Sequence, residues 1–127
     1  MLWHYYRGQR RSRCDEEEPN AFGNYIILSG LPASQGLYGF ASLFLIMNYL
    51  TDSVTMLQAA AIFGLGILVG LVNFFSSYRQ GQLCANGIAA VGNGHDVGTK
   101  TLILAAFPEL YGILTVAITF LVTGLMK

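Results

Sequence analysis

The chain has 127 residues, 54% apolar and 11% charged, with a formal net charge of zero. That is room for one small domain, with far fewer charges than the roughly 25% of an average soluble protein. The charges are also unevenly placed: Arg7, Arg10, Arg11, Arg13, Asp15, Glu16, Glu17 and Glu18 crowd the start, and only Asp52, Arg79, Asp96, Lys100, Glu109 and Lys127 follow. This pattern excludes an ordinary soluble globule and predicts an all-α integral membrane protein with a polar head.

Residues 1–22 read as a polar segment without fixed structure, and residues 23–127 as the membrane domain. The first apolar run is too long for a signal-peptide core and lacks a cleavage site. Residues 24–50 are predicted as the first transmembrane helix, with Pro32 inside it. Thr51, Asp52 and Ser53 follow as a tight turn, with Asp52 facing water. Residues 54–92 read as a long second helix, whose later part, RQGQLCANGIAAVG, is polar enough to rise out of the bilayer. NGHDVGT is a loop at 93–99, and residues 100–126 are the third helix. At about 1.5 Å per residue, each helix can cross a hydrocarbon core of about 30 Å.

Three spans put the N-terminus and the 93–99 loop on one side, together with Arg7, Arg10, Arg11, Arg13 and Lys100. The positive-inside rule makes that side cytoplasmic. Cys14 and Cys84 lie far apart, and His4 and His95 are isolated, so neither a disulfide nor a resident cofactor is expected. No nucleophile–base set argues for an intramembrane enzyme, and no nucleic-acid partner is expected.

The second helix carries small or short residues at close helical spacing: Ala60, Gly64, Gly66, Gly70, Asn73, Ser77, Gly81, Ala85 and Ala89. Such a stripe lets backbones approach closely, either within one molecule or in a crowded ring of helices. There is also an internal echo. IILSGLPASQGLYGF and LILAAFPELYGIL share an aliphatic entry, a proline and an LYG triplet, as a duplicated hairpin would.

Glu109 is the acid inside the third span. A carboxylate at bilayer depth costs about 2.5–3.5 kcal/mol or more, so it needs a partner, a proton or a bound ion. Helical rise places it about 13 Å from the cytoplasmic end of its helix, with Gln80 about 18 Å and Gln35 about 16 Å from theirs. Leu31, Ser34, Gln35 and Tyr38 share one face of the first helix, and Pro32 and Pro108 each leave a nearby carbonyl under-satisfied. Amide, hydroxyl and carbonyl oxygens around one carboxylate suit a single monovalent cation better than a divalent one. The plain alternative for either glutamine is a hydrogen bond between helices. Tyr38 is the expected gate by its face, although Tyr38 and Tyr111 can each bond the acid or merely pack. Arg79 either snorkels to the surface or pairs with an acid, and snorkelling is the reading compatible with a cation site.

LPASQGLYGF, SSYRQGQLCANGIAAVGNG and LILAAFPELYGIL, in this order, resemble the membrane proteolipid (subunit K, or c-ring subunit) of V-type ATPases and ATP synthases. The resemblance covers roughly residues 21–127. It implies a rotor ring of identical copies that carries Na+ or H+ past a stator membrane subunit of the I or a type, coupled through central-stalk subunits to ATP hydrolysis or synthesis elsewhere. The chain is then a non-catalytic, multi-pass subunit, most simply of a prokaryotic plasma membrane. By resemblance, Glu109 is the ion-carrying carboxylate, and Leu31, Ser34, Gln35 and Gln80 are its companions in sodium-binding members. Ser34 stands where those members have threonine, and Tyr38 matches the tyrosine that hydrogen-bonds the glutamate. The family has two helical hairpins, four helices in all, whereas residues 1–20 resemble neither its first, glycine-rich helix nor the loop after it. A misassigned start, a truncated gene and a shortened paralogue are the readings this leaves open. The competing function is a truncated or degenerate proteolipid with a packing or accessory role; an independent small channel or carrier has less support.

Overall fold

The computed structural model describes residues 21–126, so the expectations for the polar head, including Cys14 and His4, lie outside the described residues. Three helices long and apolar enough to cross a membrane make up the fold: α1 (Ala21–Met47), α2 (Met56–Gly92) and α3 (Gly98–Leu125). Large apolar side chains are exposed all round them, among them Phe40, Leu57, Phe63, Phe74 and Leu121. In water such a surface would be prohibitive; in lipid it is the expected exterior.

Local chemistry sets the boundaries. α1 runs three residues earlier than the sequence pattern predicts at both ends, because Ala21, Phe22 and Gly23 continue the helix and Asn48 begins the turn. At Pro32 it tightens into a 3-10 turn over Leu31–Ala33, since proline has no N–H to give and its ring crowds the preceding turn. A capping box opens α2: Gln58 N–H donates to Thr55 Oγ1 at 3.3 Å, and Thr55 N–H donates to Gln58 Oε1 at 3.1 Å. With 37 residues, α2 is about 55 Å long, longer than a hydrocarbon core of about 30 Å. It ends where Asn93 N–H reaches Ala89 and Ala90 carbonyls and Gly94 takes a φ of 86°, a left-handed geometry that favours glycine. Pro108 lies inside α3 without ending it.

The buried seam of α2 is Leu65, Val69, Asn73, Ser76, Gln80, Cys84 and Gly87. The small-residue stripe predicted from sequence is a different face, sharing only Asn73 with this seam. Gly64, Gly66, Gly70 and Gly81 have no neighbour within 4 Å of where a Cβ would stand. Close approach inside the molecule falls instead at Gly87, against the Thr101 side chain, at Gly98, against the Asn24 side chain, and at Gly112, against the Tyr38 ring. The interior is more polar than apolar. Leu28, Cys84 and Ala105 form a small apolar plug one turn from Glu109 on the side of the 93–97 loop. Toward the opposite end, Thr115, Thr119 and Thr123 face inward, each donating to a carbonyl of its own helix at 2.6–2.8 Å.

Candidate ion-carrying site

Each helix brings one kind of group to a common level. α3 brings the Glu109 carboxylate. Its Oε2 accepts from Gln80 Nε2 of α2 at 2.5 Å and from Ser34 Oγ of α1 at 2.8 Å. Its Oε1 accepts from the Tyr38 hydroxyl. Gln80 is fully buried and is held in place by a second bond, Nε2 to the Ala105 carbonyl at 3.1 Å. Its own Oε1 is buried without a partner.

The 3-10 turn positions the α1 groups. Because Leu31–Ala33 is wound tightly, Ser34 Oγ stands 2.6 Å from the Leu31 carbonyl while also lying 2.9 Å from Gln35 Oε1 and 2.8 Å from Glu109 Oε2. A hydroxyl has one hydrogen. Three acceptor oxygens therefore compete for a single proton, and two of the close oxygen–oxygen approaches have no hydrogen between them. Gln35 is oriented from behind: its Nε2 donates to Ser76 Oγ at 3.0 Å, and Ser76 in turn donates to the Pro108 carbonyl. That relay turns the Gln35 amide oxygen toward Ser34.

All the residues singled out from sequence are thus accounted for. Glu109, Ser34, Gln80 and Tyr38 touch directly. Gln35 and the Leu31 carbonyl join through the Ser34 hydroxyl. Tyr111 is exposed on the outer surface, and Arg79 is exposed and bonded to Gln82 rather than to Glu109. Ser76 and Ser77 were not among the expected site residues. Ser76 lies four residues before Gln80, on the same helical face, and that spacing was the available signal. Ser77 Oγ donates to the Pro32 carbonyl at 3.2 Å, so adjacent serines of α2 serve the carbonyls of the two intramembrane prolines.

The cluster gathers oxygens around one carboxylate. One carboxylate supplies a single negative charge, and the remaining oxygens are neutral. Gln80, Gln35 and Ser34 are buried or half-buried, so an ion there would be drawn out of both water and lipid.

Known proteins resemble the chain in sequence. Residues 54–122 match the family of the ATP synthase C-subunit. The V-type sodium ATPase subunit K of Enterococcus hirae is 34% identical over 114 residues, which cover 90% of this chain and 73% of that protein. The A-type ATP synthase subunit K of Methanocaldococcus jannaschii is 35% identical over 114 residues, covering 87% of this chain and 49% of that protein. The chain therefore spans about half the length of the archaeal relative.

Proposed function

The chain belongs to the ATP synthase C-subunit family, and on that premise we propose that it is a rotor-ring proteolipid of a V- or A-type ATPase that carries Na+ on Glu109. Leu31 through its carbonyl, Ser34, Gln35 and Gln80 are the companion ligands, and Tyr38 is the gate that closes on the carboxylate. The observation that carries this reading is the proton deficit around Ser34: Leu31 O, Gln35 Oε1 and Glu109 Oε2 surround one hydroxyl, and Gln80 Oε1 lies buried beside them without a partner. A small positive ion among these oxygens relieves both faults. A proton on Glu109 relieves only the first.

The exposed glycine stripe of α2 supports assembly into a ring of copies, because its bare backbone is unused within the molecule. In this reading the chain performs no catalysis. Loaded ions meet a stator membrane subunit, central-stalk subunits couple rotation to nucleotide chemistry elsewhere, and the N-terminal side faces the cytoplasm of a prokaryotic cell.

Carbodiimide labelling of Glu109 tests the reading. The reagent attacks the protonated acid, and bound Na+ displaces that proton, so labelling falls as sodium rises at fixed pH. Labelling that ignores sodium assigns the pocket to protons; no labelling at all in folded protein means that the acid only packs helices.

A further inference from the structure

Arg79 takes no part in the pocket just described. It is adjacent in sequence to Gln80, whose side chain turns inward to Glu109, so Arg79 points about 100° away around the same helix. There its side chain is exposed, and Nη1 donates to Gln82 Oε1 at 3.3 Å. Among the described residues no acid pairs with it. Gln82 lies one turn nearer the 93–97 loop, so the guanidinium leans toward that end of the bundle.

A groove of about 630 Å³ runs between α2 and α3 on this side, and Arg79 lines it. Its other walls are almost wholly apolar: Leu71 and Phe75 from α2, and Phe107 and Tyr111 from α3. From Arg79 to Leu71 is eight residues, about 12 Å of apolar wall leading away from the charge. A guanidinium against apolar walls is costly without a counter-charge. The groove is thus cationic at Arg79, with one further turn of apolar wall at Leu83 and Leu104 on the loop side and a longer apolar run on the other, the polarity of a single phospholipid in the leaflet on the 93–97 side.

We propose that this groove binds one phospholipid with a net negative headgroup, its phosphate on Arg79 and one acyl chain laid along Leu71, Phe75, Phe107 and Tyr111. Guanidinium and phosphate match in charge and in paired hydrogen-bond geometry. A zwitterionic lipid brings the same phosphate but also a cation that offsets the attraction. The proposal does not depend on the ion-carrying reading, although Ser76 and Pro108 of the relay also line the groove.

Native mass spectrometry of the full chain tests the site, in detergent with equimolar phosphatidylglycerol and phosphatidylcholine of matched acyl chains. Wild type should retain phosphatidylglycerol about fivefold over phosphatidylcholine, and added salt should erode the preference. Arg79→Gln should bring the ratio to about one, while Arg79→Lys, which keeps the charge without the paired geometry, should retain part of it. Sodium-protected labelling of Glu109 should be unchanged in Arg79→Gln, which separates failure here from failure of the ion site. No preference in wild type, or the same preference in wild type and Arg79→Gln, would overturn the proposal. So would a Phe107→Cys cross-link between copies at full yield, in a background with Cys14 and Cys84 replaced by serine, since that gives the groove to a second chain.

Discussion

The two prolines invite comparison, because the segments around them echo each other in sequence but are built differently. Around Pro108, α3 stays α-helical and contributes the charge. Around Pro32, with three more residues between proline and the LYG triplet, α1 tightens into a 3-10 turn and contributes neutral oxygens. Each prolyl carbonyl accepts from one of the paired serines of α2. The difference teaches how two echoing segments divide labour. One keeps helical regularity and a carboxylate, and the other gives up regularity to bunch a carbonyl, a hydroxyl and an amide within reach of that carboxylate.

The largest effect comes from removing the charge on the Pro108 side. Glu109→Gln keeps the shape of the side chain but should abolish sodium-protected carbodiimide labelling and ion transport in reconstituted membranes, while insertion persists. Next is the Pro32 side. Ser34→Ala removes the hydroxyl that links three oxygens, and sodium affinity, read from the sodium dependence of labelling, should fall about tenfold or more. Ser34→Thr should restore most of it; equal loss in both variants would mean that the hydroxyl is not the link. The serine pair sharpens the comparison further. Ser76→Ala frees both the Pro108 carbonyl and the Gln35 amide, and should weaken sodium protection about fivefold, as for one lost hydrogen bond of about 1 kcal/mol. Ser77→Ala touches only the Pro32 carbonyl through a longer bond, and should lower thermal stability slightly, by about 0.6 kcal/mol or less, with sodium protection unchanged. If Ser77→Ala proved the more damaging for sodium, the division of labour between the two segments would be reversed.

The three helices were legible because apolar runs of this length with so few charges have few other uses, and helical rise alone put Glu109, Gln80 and Gln35 near one depth. What hydropathy could not show was orientation about each helix axis. When lipid and interior are both apolar, the apolar pattern no longer marks the inside, and the glycine face of α2 and its buried seam look alike. Here the inward marker was polarity: Asn73, Ser76, Gln80 and Thr115 are buried, while Phe74, Phe75 and Tyr78 are not. The role of Ser76 was hidden for a related reason. Its spacing from Gln80 marks the shared face, but its partners are a backbone carbonyl and an amide contributed by two other helices, and those the local pattern does not name. The early start of α1 is hidden in the sequence because its first turn follows Pro19 and Asn20, residues that favour turns.

The lone hydrogen on Ser34 has one more consequence. When the pocket holds no ion, that hydrogen can settle on the carboxylate and leave the Leu31 peptide oxygen with the Ser34 backbone N–H alone; when the carboxylate is neutralised, the same hydrogen is released to Leu31 as a second bond. Occupancy is thereby written into main-chain bonding, and a carbon-13 label at the Leu31 carbonyl should report loading as an infrared shift, without any probe attached to the glutamate.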